Sequence, residues 1–310
     1  MGETDKQVRV PFRCGFVSIV GRPNVGKSTL LNSLVEEKIA IVSKIPQTTR
    51  NPVRGIYNDE RGQIIFIDTP GIHLGRDRLD KFMNRTAVET TVDVDVIIHL
   101  ADTSRAVGEE EHRVVESLKD LPKPIILGLN KIDLKGRYLP QHIGLWEQIR
   151  GRPVTEMKDF VILPLSGKTG TNREKLLDIL FEFLPVGEAL YPLDSVTDVP
   201  QKMVIADIIR EKLFNVMREE VPHSIAVVIE EMGPRKKKMT YIRALIMVER
   251  ETQKEIVIGK GGSILKKIGS LARQELEELL ERKVFLDLVV KAQKNWRDDL
   301  SVLEEMGYVS

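Results

Sequence analysis

The sequence predicts an α/β fold, a mixed and mostly parallel sheet flanked by helices, followed by a smaller α+β unit. Three observations predict it. Short apolar, β-branched runs recur at 16–20, 52–57, 63–67, 96–100, 124–129 and 160–165, with helical periodicity at 29–35 and 173–183. That periodicity stops at 184, and Pro185 and Pro192 bracket the break. The remainder reads helix, strand, strand, helix, helix, strand. The expected division is a first domain over 1–184, a linker over 185–200, and a second domain with a C-terminal tail over 201–310.

Composition sets the outer bounds. A chain of 310 residues suits two domains, and 42% hydrophobic with 30% charged residues is ordinary for a globular protein. The formal net charge is +1, so any charge that meets a nucleic acid must be local. A single cysteine, Cys14, excludes an intramolecular disulfide and a multi-cysteine zinc site. Cys14 is expected to be a small strand-edge residue. Residues 1–13 are polar and lack a secretory apolar core. No stretch approaches the roughly 18 apolar residues of a spanning helix. The expected location is the cytoplasm.

The first strand leads into Gly21-Arg-Pro-Asn-Val-Gly26-Lys27-Ser28, the phosphate-binding pattern GxxxxGK[ST], and the helix at 29–35 follows. A strand, loop and helix in that order aim backbone N–H groups and the positive helix end at one point, which suits a polyphosphate. Gly21 and Gly26 permit the turn and a close backbone approach, and Asn24, Val25 and Thr29 are assigned to the nucleotide with them. Lys27 reaches the terminal phosphates, and the Ser28 hydroxyl can ligate Mg2+. The chain binds a nucleoside triphosphate.

Asn130-Lys131-Ile132-Asp133 closes the run at 124–129, on the ligand edge of an open sheet. A carboxylate there accepts two bonds from guanine N1–H and its exocyclic amine, and adenine would leave it unpaired. The Lys131 stem lies along the base, and Asn130 ties this loop to the phosphate loop. Asp68-Thr69-Pro70-Gly71 follows the run at 63–67. Asp68 can hold Mg2+ through a water, and the Gly71 N–H can meet the γ-phosphate. Between the first helix and second strand, Gln47-Thr48-Thr49-Arg50 offers a threonine hydroxyl to the metal, Thr49 being favoured over Thr48. No arginine is evidently placed as a finger in cis, Arg50 being the one candidate. Ser166-Gly167-Lys168 can offer N–H groups to guanine O6. The ligands are thus GTP or GDP with Mg2+, and Lys27, Thr49, Asp68 and Gly71 are the expected catalytic set.

These five elements resemble a P-loop GTPase domain of the translation-factor class. The pairing of Gln-Thr-Thr-Arg with Asp-Thr-Pro-Gly-Ile-His is similar to the Era-like branch. Ras-like enzymes carry a water-orienting glutamine after the switch glycine; here it is Ile72, as in that branch. Gly167 stands where the family usually has alanine. Of the five histidines, His99 lies within a strand and is read as a satisfied core residue, and His73 as a solvated loop residue beside the switch.

In the second part, residues 201–217 form a helix with Val204, Ile205, Ile208, Ile209 and Leu213 on one face. Strands follow at 223–229 and 240–248, joined by the basic turn 235–238, read equally as solvated or as an RNA contact. A short helix leads to Val257-Ile258-Gly259-Lys260-Gly261-Gly262. A long helix then carries a stripe of Ile264, Ile268, Leu271 or Ala272, Leu276 and Leu279, and a last strand spans 283–290. The glycine turn between helices, in αββααβ order, resembles a type II KH domain. Glycine lets an RNA backbone lie close, Lys260 meets phosphate, and unpaired bases sit in an adjacent apolar groove expected along Ile258 and Ile264. Ile258, Gly259, Lys260, Gly261, Gly262, Lys266 and Lys267 are the RNA-binding candidates.

A GTPase domain of this branch joined to a KH domain resembles the Era family from residue 16 to 306. That resemblance implies binding to single-stranded small-subunit ribosomal RNA near its 3′ end, the small ribosomal subunit as partner, and a role in its assembly by a monomer. Two alternatives stay open. One is a membrane-associated regulatory GTPase, peripheral at the inner face of the cell membrane. The other is a nucleotide-gated RNA-binding protein with negligible hydrolysis.

Overall fold

The computed structural model describes residues 11–43, 49–72, 77–217, 224–235 and 239–305. In the first domain β1 (Arg13–Val20), α1 (Lys27–Val35), β2 (Val53–Asp59), β3 (Gly62–Asp68), α2 (Arg78–Glu89), β4 (Val96–Asp102), α3 (Glu109–Leu118), β5 (Ile125–Asn130), α4 (Leu139–Arg150), β6 (Phe160–Pro164) and α5 (Arg173–Phe183) follow in order. The sheet runs β2-β3-β1-β4-β5-β6, parallel except for the β2–β3 pair. Strands β3, β4 and β5 are buried at every position, because helices cover both faces, and so they read as unbroken apolar runs. One face is packed by Leu30, Leu31 and Leu34 with Leu176, Leu177 and Leu180; the other by Val114, Val115, Leu118 and Trp146. Strand order departs in opposite directions on the two sides of β1, which makes its carboxyl end the topological switch point.

The second domain comprises α6 (Gln201–Val216), β7 (Ala226–Arg235), β8 (Met239–Val248), α7 (Glu251–Ile258), α8 (Ser263–Leu280), β9 (Lys283–Ala292) and α9 (Leu300–Glu305). Its sheet runs β7-β8-β9, with β7–β8 antiparallel and β8–β9 parallel. Through β9 the order is the αββααβ expected.

Several readings need correction. Cys14 is buried in β1, an interior strand, with its thiol directed at Gln63 Oε1 at 3.8 Å. The core stripe of α8 is Ile268, Ala272 and Leu276, while Leu271 and Leu279 are exposed. The first strand of this domain begins at Ala226, and residues 218–223 lie outside the described set. The segment read as a linker is tied down along the first domain. Gln63 Oε1 accepts the N–H groups of Leu190 and Tyr191 at 2.8 and 2.9 Å, and the Val196 carbonyl accepts Ile56 N–H at 2.8 Å. Gln63 is fully buried on β3, so those backbone groups satisfy it.

The chain's end crosses back to the first domain. Trp296, Val302 and Leu303 pack with Leu79 and Met83 of α2 and with Ala226 and Met247. Arg297 pairs with Asp77 at 2.6 Å and Asp80 at 3.0 Å, at the start of α2.

Candidate functional site

Five loops meet at the carboxyl edge of the six-stranded sheet. The phosphate loop needs its two glycines for different reasons. Gly26 has φ 105, a conformation that L side chains rarely adopt. Gly21 has no such φ, but a Cβ there would lie 2.4 Å from the Leu100 carbonyl oxygen of β4. Val25 is fully buried under the loop. Lys27 Nζ donates to the carbonyls of Gly21 and Arg22 at 3.1 and 3.2 Å. Burial lowers its pKa to about 8, against the charges of Asp68 and Glu111. An ammonium so stripped of water gains strongly from a phosphate.

The three residues assigned to Mg2+ converge. Ser28 Oγ donates to Asp68 Oδ2 at 2.6 Å, Thr49 Oγ1 donates to the same oxygen at 3.2 Å, and the two hydroxyls lie 2.9 Å apart. The other carboxylate oxygen, Asp68 Oδ1, is buried without a hydrogen-bond partner. Burial raises the Asp68 pKa, with Lys27 and the two hydroxyls pulling the other way. Two hydroxyls and one carboxylate with a free oxygen suit Mg2+, which takes oxygen ligands and keeps places for water and phosphate. Thr48 lies outside the described residues.

Asn24, Gly26, Lys27, Ser28, Thr29, Thr49, Gly71 and Lys131 line one cavity of about 400 Å3. Gly71 packs on the phosphate loop, where a Cβ would come 2.7 Å from Pro23 N. The base-reading elements are tied to that cavity by side chains. Asn130 Nδ2 donates to the Val25 carbonyl at 2.7 Å, and Asn130 Oδ1 accepts the Gly167 N–H at 3.0 Å. Ser166 Oγ donates to Asp133 Oδ1 at 2.7 Å. Lys131 Nζ reaches the Asn24 carbonyl and Asp102 Oδ2, each at 2.8 Å. Asp133, Ser166, Gly167 and Lys168 stand beside the cavity rather than on its wall. The Gly167 N–H, expected to be offered to guanine O6, donates here to Asn130.

Sequence reasoning missed a buried network behind the site. Arg22 Nε donates to Glu111 Oε2 at 2.9 Å, and both residues are buried. Trp146 Nε1 donates to His99 Nδ1 at 3.0 Å, so His99 carries its proton on Nε2 and donates it to Glu111 Oε1 at 3.0 Å. His99 is therefore a satisfied core residue. Burial opposes ionisation of Asp102, but bonds from Lys131 and Ser104 outweigh it and hold its pKa below the usual carboxylate value. Ile41, Val42, Ser43 and Arg105 also line the cavity, and no local pattern announced them.

Two residues of the switch motifs pack inward. Arg50 is 1% exposed, its Nη1 donates to the Ile225 carbonyl at 2.7 Å, and its guanidinium lies 5.6 Å from the centre of the Trp296 ring. It joins the two domains and does not serve as an arginine finger. Ile72 is 8% exposed and packs with Val20, Ala87 and Val94, so it anchors the switch in the core. His73 lies outside the described residues.

The second site surrounds the glycine turn between α7 and α8. Gly259, Gly261 and Gly262 have φ 71, 60 and 77. A Cβ at Gly261 or Gly262 would meet nothing within 4 Å, so backbone conformation rather than space demands glycine there. Helix α8 starts without a side-chain cap, which leaves its first N–H groups for an anion at the turn. Lys260 is exposed beside them. A groove of about 460 Å3 runs from Gly262 between α8 and β9, past Leu265, Lys266, Gly269, Arg273, Leu286 and Leu288. Neither Ile258 nor Ile264 lines it; Ile264 packs against Gly259 instead. Lys267 is exposed and also off the wall. The wall of this groove on α8 is a second stripe, Leu265, Gly269 and Arg273 at four-residue spacing beside the core stripe. Arg235 lies 4.3 Å from the Phe285 ring centre, in stacking range, and residues 236–238 lie outside the described set.

Comparison with known proteins supports both domains. A family described as 50S ribosome-binding GTPase matches residues 16–131, and the KH domain family matches residues 220–297. GTPase Era of Halothermothrix orenii is 45% identical over 297 residues, covering 96% of this chain and 99% of that protein. GTPase Era of Geobacter metallireducens is 45% identical over 301 residues, covering 96% and 98%. Among solved structures, an Aquifex aeolicus Era variant bound to GDP·AlF4− superposes with a TM-score of 0.89 at 40% identity, covering 96% of this chain and all of that one. Era in complex with MgGDPNP and nucleotides 1506–1542 of 16S ribosomal RNA gives 0.89 at 39% identity, with the same coverage of both chains.

Proposed function

The chain belongs to the Era family of GTPases, and on that footing we propose that it binds single-stranded small-subunit ribosomal RNA near the 3′ end and acts in small-subunit assembly. The chain itself is a GTPase with a KH domain, using GTP, GDP and Mg2+. The observation that carries the RNA reading is the open groove between α8 and β9, which begins at an uncapped glycine turn beside Lys260. The solved relative bound to nucleotides 1506–1542 of 16S ribosomal RNA supplies the class of ligand. The large-subunit wording of the first matched family covers residues 16–131 alone and does not reach the groove.

The chain's own residues account for binding and orientation. The phosphate loop's N–H groups and Lys27 take the β- and γ-phosphates, and Asp133, braced by Ser166, takes the guanine N1–H and amine. Ser28, Thr49 and Asp68 would hold the metal. When bound, Mg2+ neutralises charge on the phosphate oxygens. Ile72 occupies the sequence position where Ras-like enzymes place glutamine, and it is buried in the core. Slow intrinsic turnover is the outcome expected from that, and stimulation by RNA or the ribosome is proposed with it.

The protein is a cytoplasmic monomer in this reading. No helix among the described residues is long and apolar enough to cross a membrane. Peripheral membrane contact is the second reading, and vesicle co-sedimentation tests it. The main test is crosslinking of the full chain to total RNA with GTP or GDP present. Enrichment at the 3′ end of small-subunit RNA is expected, and crosslinks spread evenly over unrelated RNAs would overturn the proposal.

A further inference from the structure

We propose that Asp102 is a positioning residue for the guanine nucleotide, holding Lys131 in place against the base and joining the base loop to the phosphate loop. This rests on reading Asn130 to Asp133 as the guanine site. Asp102 ends β4 and stands directly opposite Asn130 of β5 in register. It is fully buried. Oδ1 accepts from Ser104 N and Oγ at 3.0 and 2.6 Å, which leaves Oδ2 aimed at the site. There it takes the Lys131 ammonium at 2.8 Å, with the Arg22 guanidinium 3.7 Å away.

A single buried carboxylate therefore faces a cation from each of the two nucleotide loops. Lys131 needs such a hold. Its backbone sits at φ 66 and ψ 33, a left-handed conformation disfavoured for a residue with a Cβ. Its side chain lines the cavity, whereas Asp102 does not. Asp102 thus acts through Lys131 and touches no ligand. The dependence is mutual, because a buried carboxylate that lost its ammonium would be left uncompensated. A neutral amide at 102 keeps the shape but removes the charge that fixes the lysine stem.

The test is a double-mutant cycle on the full chain, with dissociation constants for GTP, GDP and ITP. ITP lacks only the exocyclic amine that Asp133 reads. Asp102→Asn is expected to weaken all three by one common factor of roughly 10- to 100-fold. The GTP to ITP ratio should stay at its wild-type value. Lys131→Met should lose a similar factor, and Asp102→Asn added to it should cost nothing more. A merely structural Asp102 would give losses that add, together with a lower thermal transition, and that result overturns the proposal. So would unchanged affinity, or a shifted GTP to ITP ratio. Should Asp102→Asn not fold, Ser104→Ala keeps the charge and removes the one side-chain bond to Oδ1. It should lose about two- to five-fold, again equally for all three nucleotides; no loss, or unequal loss, counts against the proposal. Failure of the guanine reading itself looks different: wild-type protein would bind GTP and ITP equally.

Discussion

The nucleotide site and the RNA groove are built on opposite plans. At the first, the side chains that matter are already paired: the buried Lys27 to its own loop carbonyls, the buried Asn130 to Val25 and Gly167, the buried Asp68 to the half-buried Ser28 and Thr49, and the exposed Asp133 to the buried Ser166. At the second, Lys260 is exposed among three glycines, and Lys266 and Arg273 are exposed along the groove on α8. A paired, desolvated site discriminates sharply, because a wrong ligand strands polar groups. An exposed one gains affinity from phosphate charge and loses it to salt, with little choice of base at the contacts to the backbone. The two domains should therefore fail in different ways when altered.

The largest contrast is expected at Asp133. Asp133→Asn should weaken GTP by roughly 10^3- to 10^4-fold and favour xanthosine triphosphate, whose extra carbonyl accepts from the amide. Competition binding with both nucleotides measures it, and unchanged GTP affinity without a gain for the xanthine would remove the base assignment. RNA affinity of that variant should stay at the wild-type level.

Next comes the glycine turn. Lys260→Asp combined with Gly261→Asp should lower single-stranded RNA affinity roughly 100-fold, since charge is reversed where phosphate lies. Position 261 has φ 60, so an aspartate there strains the backbone although nothing lies within 4 Å of its Cβ, and Lys260→Asp alone is the unstrained comparison. GTP affinity and the thermal transition are the controls. An undiminished RNA affinity would reduce the turn to a helix connection and end the contrast.

Ile72→Ala sharpens the comparison by separating packing from chemistry. Removing a buried isoleucine side chain costs about 2–4 kcal/mol of stability. Single-turnover hydrolysis by the folded fraction should nevertheless hold within a few-fold, because the side chain faces the core. Abolished hydrolysis with intact nucleotide binding would place Ile72 at the phosphates instead. The smallest effect belongs to Lys260→Ala, which should flatten the log–log salt plot for RNA by about 0.7, one phosphate contact on a single strand. It should weaken different RNA sequences alike, and a changed preference would put Lys260 on a base edge.

The division between what was legible in the sequence and what was not follows the range of the interactions. Local patterns carried the strand ends, the phosphate loop, the Asn130 to Asp133 motif and the glycine turn, because each acts through the backbone of its own few residues. Gly26 and Gly261 need left-handed dihedrals wherever the chain goes next. Residue spacing also sufficed for the αββααβ order, since burial on one side imposes its own period. Other roles depended on what the fold brings alongside. Arg50 sits within a switch motif, yet its partners are Ile225 and Trp296 of the other domain. Gly167 spends its N–H on Asn130, and Arg22 reaches Glu111 across 89 positions of sequence. The open groove beside β9 is lined by Leu265 and Gly269 and not by Ile264, a difference of one residue on α8 that only its packing on β9 decides. By itself the sequence determined the chemistry that a short stretch of backbone can perform. Strand register and domain contact decided which distant charges meet, because a pair's energy depends on distances that no local pattern contains.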